Sequence, residues 1–322
     1  MAVTGAVTEV VRAGGPHVAA LLDRDEERLA ELAAGHGATL AEHAVATIAA
    51  GGKRLRPLLV FLAADDEDGE GLVRAATAVE LVHSATLVHD DVLDAAALRR
   101  GLPTVVATAG RAAATATGDL LFARAFAELA RNGRRDEVQV LSEASSALAE
   151  GELMQRADAF NAAVPIERYL RRCELKTARL FEAACRLGAL EDGREPDALG
   201  RFGRRIGVAF QLLDDVLDVS GPPERTGKHR GTDLLDGTVT LPFILARGRD
   251  AELAALDPRC IETPQTAERV CDRIEATGAL DDARARALAM VKEAQAALPE
   301  GLSARQRHAL ELVANGVVAR YA

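Results

Sequence analysis

Mostly apolar positions recur every three or four residues along the chain. They run through Val79, Leu81, Val82, Ala85, Thr86, Val88 and His89, through Leu120, Leu121, Ala125, Phe126 and Leu129, and through Tyr169, Leu170, Cys173, Leu180, Phe181 and Ala184. This is the period of one helix face, so the pattern predicts helices. Breaks fall at Gly51-Gly52, 65–71, Gly101-Leu102-Pro103, Asn132-Gly133, 161–165, 191–196, 221–231 and 257–264. They leave helical segments of about 15 to 30 residues, with no Pro/Ser-rich linker and no tandem repeat. Nothing in the pattern requires a strand. The expectation is an all-α fold, one domain over residues 1–322, in which residues 1–25 are the least determined.

Composition agrees. About a fifth of the chain is alanine, and Ala, Leu, Glu and Arg are the residues that lose least on entering a helix. At 322 residues, 48% hydrophobic and 27% charged, the chain can bury a sizeable core and does not read as disordered. With only 3% aromatic residues and no Trp, cavity walls of Leu, Val and Ala are expected. The balance of 39 Lys+Arg against 49 Asp+Glu gives −10, which argues against nucleic acid or an anionic membrane as the main partner. No uncharged stretch approaches the roughly 18 apolar residues of a membrane span. The first 23 residues lack a basic start followed by an apolar run and a cleavage site, so a cytoplasmic protein is expected. The four cysteines lie eleven or more residues apart, without the spacing of a zinc site, and read as free thiols.

Acid inside apolar sequence changes the picture. Leu87-Val88-His89-Asp90-Asp91-Val92-Leu93-Asp94 and Gln211-Leu212-Leu213-Asp214-Asp215-Val216-Leu217-Asp218 contain the same pentapeptide, Asp-Asp-Val-Leu-Asp, 124 residues apart. On a helix, Asp90 and Asp94 share a face, as do Asp214 and Asp218. Taken singly, such a run reads as a solvated helix face. Two copies in apolar context instead call for a cation, because like charges at this spacing repel and buried unpaired carboxylates are costly. Oxygen ligands without His or Cys favour magnesium, which typically brings a substrate phosphate with it. Basic elements accompany them: Gly51-Gly52-Lys53-Arg54-Leu55-Arg56-Pro57, Arg99-Arg100-Gly101, Lys176-Thr177 and Lys228. Arg forks and Lys point charges bind phosphate oxygens. His83 stands seven residues before Asp90, and by spacing alone it reads as a core histidine.

In this order, these elements together with Gly118-Asp119, Gly151-Glu152, Phe210-Gln211, Gly227-Lys228 and Thr240-Leu241-Pro242 resemble the trans-isoprenyl diphosphate synthases, the polyprenyl synthetase family, over about residues 45 to 245. The resemblance implies a single-domain helical bundle of the isoprenoid-synthase type around a deep central cavity, assembled as a homodimer without stable membrane insertion. It implies a trans-prenyltransferase condensing isopentenyl diphosphate with an allylic diphosphate (dimethylallyl, geranyl, farnesyl or geranylgeranyl). Asp90, Asp91, Asp94, Asp214, Asp215 and Asp218 would hold three magnesium ions. Arg99, Lys176 and Lys228 would bind the allylic diphosphate, and Lys53, Arg56, His83 and Arg100 that of isopentenyl diphosphate. Thr177 and Gln211 would line the reacting centre.

Two departures stand out: Ala95, Ala96 and Ala97 replace acidic residues common after the first motif, and Thr238 replaces a lysine. Family members that stop early carry bulky aromatics at the fourth and fifth positions before the first aspartate. Thr86 and Ala85 stand there, so a product of twenty carbons or longer is expected. A class I terpene cyclase shares the fold and the ionisation step but needs no second cationic pocket. A non-catalytic partner subunit would be expected to lose aspartates, and both motifs are intact.

Overall fold

The computed structural model describes residues 2–35, 37–65, 69–221 and 229–319. Lys228, with Gly227, and Asp66, Glu67 and Asp68 of the acidic loop lie outside the described residues. The described chain is helical apart from one two-stranded hairpin. It divides into two compact units, each assembled from three separate stretches of sequence. That interleaving is why no linker is visible in the sequence.

The first unit comprises residues 1–145, 180–203 and 298–313. It holds α1 (Ala2–Gly14), α2 (Pro16–Ala34), α3 (Ala38–Ala49), α4 (Leu55–Ala63), α5 (Glu70–Leu93) and α6 (Val105–Ala130). It also takes the first part of α7 (Arg135–Ala157), most of α9 (Arg179–Glu191) and the start of α10 (Asp197–Ser220). Helix α5 packs chiefly along α6, and also against α2 and α4. It is apolar nearly all round, as a core helix must be. By length and composition α5 is long enough to cross a membrane, but 72% of its most apolar stretch is buried inside the protein. Burial continues through α4, where Leu58, Leu59, Val60, Phe61, Leu62 and Ala63 are all inaccessible.

The hairpin was not expected. Strand β1 (Leu98–Arg99) pairs antiparallel with β2 (Leu102–Pro103). Arg100 at φ 54° and Gly101 at φ 79° make the turn. Two successive left-handed residues are the mark of a type I′ hairpin, and Gly101 takes that conformation without strain. The sequence shows the same residues only as a Gly/Pro break.

The second unit comprises residues 146–179, 204–297 and 314–322. After the end of α7 come α8 (Ile166–Cys173) and a π-helical turn over Glu174–Ala178, then the remainder of α10. These are followed by α11 (Thr232–Leu235), α12 (Leu241–Arg247), α13 (Ala251–Ala255), α14 (Pro264–Ala276) and α15 (Ala279–Ala296). The end of α16 (Ala304–Ala319) completes it. Residues 251–297 thus form a run of helices within this unit. Helix α14 is tied to the end of α10 by Arg230, whose Nε donates to the Val219 carbonyl at 2.7 Å while Nη1 meets Asp272 at 2.9 Å. All four cysteines are free thiols, and Cys260 alone is exposed.

Candidate active site

Both acidic pentapeptides lie at the C-terminal ends of long helices, α5 and α10, and neither helix has a basic residue in its last turn. The helix dipole is negative there, so it adds to the repulsion among the carboxylates. Helix α5 closes on the motif, with the Asp94 N–H donating to the Asp90 carbonyl at 2.8 Å. Asp90 is half-buried and Asp94 exposed, while Asp91 turns inward at 6% exposure. Nε and Nη2 of Arg99 both donate to Asp91 Oδ1, at 2.8 and 2.7 Å. The hairpin thus brings the first Arg of Arg-Arg-Gly back onto the motif.

Its second arginine points elsewhere. The Arg100 guanidinium lies at Gly52, where an added Cβ would stand 3.4 Å from Nη1. Arg56, at the start of α4, stacks over the Phe181 ring at 4.7 Å. Burial lowers its pKa to about 10, with Glu80 opposing and Arg100 reinforcing the shift. His83 sits among these groups. Burial, then Arg56, Arg100, Arg99 and Arg54, hold it well below the usual histidine value, so it is a neutral imidazole. Arg54, Arg56, Arg99 and Arg100 are thereby gathered around His83 in the first unit, with Lys53 next to Arg54 in the chain. Helical spacing did not require this of His83; the arginines around it distinguish it from an ordinary core histidine.

His89, just before the first motif, stacks on Phe122 with centroids 5.8 Å apart. Its Nε2 lies 3.3 Å from Asp119 Oδ1 and 3.3 Å from the Thr115 carbonyl. A Cβ on Gly118 would fall 2.2 Å from that nitrogen, so Gly118-Asp119 provides space and an acceptor for the ring. Ala85, upstream on α5, is fully buried.

In the second unit, Lys176 and Thr177 lie in the π-helical turn, a distortion common at functional sites. Gly151 allows α7 to approach that turn: a Cβ there would fall 2.5 Å from the Lys176 backbone nitrogen. Lys176 Nζ bonds Glu152 Oε2, and Arg156 Nε donates to Oε1 at 2.8 Å. Burial works to raise the Glu152 pKa, but Lys176 and Arg156 outweigh it and hold the carboxyl below its ordinary value. Thr177 Oγ1 donates to Gln211 Oε1 at 2.7 Å, and Gln211 Nε2 donates to Asp215 Oδ1 at 2.8 Å. Asp215 is 3% exposed and also accepts from the Tyr169 hydroxyl at 2.6 Å. Burial, with Asp233 and Asp214 nearby, pushes its pKa up against those two hydrogen bonds. Asp214 is exposed and Asp218 half-buried, and Asp218 Oδ2 accepts from the Asp233 N–H at 3.2 Å.

In each copy, then, the first and fifth aspartates are more open than the second, which is occupied by neighbours. Among the described residues, no three His, Cys, Asp or Glu side chains form a metal-holding cluster by themselves. Each motif instead offers carboxylates in pairs, which suits magnesium when a bound diphosphate supplies further oxygens. The donor set therefore fits the ion. Sequence reading missed Tyr169, Asp233, Arg54 and Glu80. Asp233 carried a faint signal, two residues after the Gly-bracketed loop; Tyr169 and Glu80 looked like ordinary members of helix faces.

The sequence model of the polyprenyl synthetase family matches residues 38–276. The chain is 40% identical over 269 residues to heptaprenyl diphosphate synthase component 2 of Geobacillus stearothermophilus, covering 80% of this chain and 84% of that protein. Its fold superposes on a decaprenyl diphosphate synthase from Rhodobacter capsulatus with a TM-score of 0.88 at 33% identity, covering 98% and 99% of the two chains. A polyprenyl synthase from Caulobacter crescentus, crystallised with calcium and isoprenyl diphosphate, gives a TM-score of 0.85 at 35% identity, covering 98% of each chain.

Proposed function

Because the chain belongs to the polyprenyl synthetase family, we propose that it is a magnesium-dependent trans-prenyltransferase. It joins isopentenyl diphosphate to an allylic diphosphate and releases an all-trans polyprenyl diphosphate of twenty carbons or longer. The observation that supports this reading is the cluster of Arg54, Arg56 and Arg100 around His83, beside the Arg99–Asp91 pair. A cyclase acts on one diphosphate; a condensing enzyme must hold two.

Lys53, Arg56 and Arg100 grip the diphosphate of isopentenyl diphosphate, and neutral His83 donates one further hydrogen bond. The family resemblance assigns Arg99, Lys176 and Lys228 to the allylic diphosphate. Asp90 and Asp94, and Asp214 with Asp218, would hold the divalent ions, whose contribution is to neutralise the allylic diphosphate as it departs. The allylic C–O bond breaks, leaving an allylic carbocation. The isopentenyl double bond attacks that carbon, a new C–C bond forms, and the proton lost from the adjacent carbon goes to the departing diphosphate. The Gln211 amide is held between Thr177 and Asp215, and on the family's assignment it would supply a fixed dipole beside the developing charge. Apolar walls exclude the water that would quench the cation, and the small Ala85 leaves room for the growing tail.

The test is incubation of the purified protein with radiolabelled isopentenyl diphosphate and each allylic primer, with and without magnesium, followed by chromatography of the dephosphorylated products. Magnesium-dependent products of C20 or longer support the assignment; no elongated product with any primer overturns it. The relative named as a component favours a second reading, in which the chain works within a heteromeric synthase. Elongation by the homogeneous protein, together with a dimeric mass in solution, decides for the homodimer.

A further inference from the structure

Of the three cations in Gly-Gly-Lys-Arg-Leu-Arg, the middle one is bound away by acids. Arg54 Nη1 donates to Glu80 Oε1 at 2.8 Å, Nε and Nη2 reach the Glu26 carboxylate at 2.5 and 3.1 Å, and Nη2 also reaches the Ile48 carbonyl at 3.2 Å. Glu80 is almost completely buried, its side chain only 4% exposed. It stands on α5 one turn before His83, in the row that continues to Asp90. Arg54 has φ 44° and ψ 36° immediately before α4. A non-glycine residue stays in this left-handed region only when its surroundings hold it there. The ion pairs do so, and the conformation sets the direction in which the chain enters α4, hence where Lys53 and Arg56 stand. Glu80 also attracts Arg56 across the cluster. Glu80 Oε2 and Arg56 Nε are buried without a hydrogen-bond partner, so the Arg54 pair leaves Arg56 with donor capacity to spare.

We propose that Arg54 and Glu80 are positioning residues for the isopentenyl diphosphate subsite. Their ion pair anchors the basic loop to the helix that carries His83 and Asp90, and supplies the buried negative charge that lets several cations gather there. Arg54 itself does not touch substrate. The inference rests on the assignment of Lys53 and Arg56 to that subsite.

The experiment compares steady-state constants of the full-length enzyme with Glu80→Gln, Arg54→Lys and the double variant Arg54→Met/Glu80→Leu, together with their melting temperatures. The double variant removes both members of the pair together, so neither Arg54 nor Glu80 is left without the other if a single change prevents folding. KM for isopentenyl diphosphate should rise about tenfold or more, as when one partner of a buried charge pair is lost. KM for the allylic substrate and kcat should stay within about twofold, a split that a general loss of structure does not produce. Unchanged isopentenyl diphosphate KM in the folded variants overturns the proposal. So does a parallel loss for both substrates that follows the melting temperature, or failure of all three variants to fold. Lys53→Ala and Arg56→Ala run alongside. If these leave the isopentenyl diphosphate KM unchanged, the subsite assignment fails and the inference with it; if they raise it and Glu80→Gln does not, the positioning role alone fails.

Discussion

The pentapeptide Asp-Asp-Val-Leu-Asp ends α5 and nearly ends α10, and its second aspartate is buried in both copies, but the two carboxylates are compensated differently. Asp91 receives two nitrogens of Arg99 on one oxygen, so an opposite charge balances it. Asp215 receives the Tyr169 hydroxyl and the Gln211 amide, both neutral, and burial favours its protonated form. Both solutions recur away from the motifs. Glu128 is gripped through both oxygens by Arg28 at 2.8 and 2.9 Å. Asp25, fully buried, accepts from Thr77 at 2.7 Å, and burial raises its pKa to about 8. A buried acid in this protein thus takes a guanidinium or keeps a proton, and the pentapeptide does not determine which. On the proposed function the choice would also divide the labour: in the first copy the inward aspartate would orient a cation for phosphate, in the second an amide for a carbocation.

The largest expected effect tests what the copies share. Asp90→Ala and Asp214→Ala should each lower kcat/KM more than about a thousandfold, a loss of about 4 kcal/mol of transition-state stabilisation. Retention of substantial turnover by either would show that one copy suffices.

The next tests where they differ. Asp91→Asn removes the charge that holds Arg99 and should lower kcat/KM by roughly ten- to a hundredfold. Asp215→Asn keeps a hydrogen-bonding group between Tyr169 and Gln211 and should lower it less than about fivefold. Equal losses in the two variants would erase the distinction drawn above.

A third contrast lies upstream. The fourth position before the first copy is Thr86, and before the second it is Phe210. Introducing bulk before the first copy, as Ala85→Phe, should shift the product distribution toward shorter chains with the rate of the first condensation largely retained; an unchanged distribution would remove Ala85 from the account of chain length.

Smaller effects test the rule itself. Asp25 holds its proton to about pH 8 in the folded state, against an ordinary value of 3.8. Unfolding between these pH values releases that proton, so this residue lowers stability as pH rises from about 4 to about 8, and the slope ends above that. Asp25→Asn should flatten this part of the melting-temperature profile between pH 5 and pH 8; an unchanged profile would remove Asp25 from the account. Asp65→Ala should be nearly silent, shifting stability by less than about 0.5 kcal/mol, because its contact with Arg305 at 3.2 Å lies between partly exposed groups.

Much of the fold was legible because helices are local. The apolar spacing through Val79 to His89 predicted α5, and that from Leu120 to Leu129 predicted the second half of α6. The hairpin was missed because two residues per strand carry no alternation to detect, and its signal is confined to Arg100-Gly101. The groups that carry charge were also legible. Their partners were not: Asp91 and Arg99 are eight residues apart, Arg54 and Glu80 twenty-six, Tyr169 and Asp215 forty-six.

What the sequence by itself determined is therefore the helical period, the carboxylates one turn apart in two copies, and the cations in their order, since each depends on neighbours within a turn or on composition. Only the tertiary structure decided that Arg54 faces Glu80 while Arg56 keeps a free donor, and that one copy of the same pentapeptide takes an arginine and the other a tyrosine and a glutamine. The physical reason is desolvation: a buried charge must be answered by whatever group packing brings within about 3 Å, and packing brings together residues that the helical period does not relate.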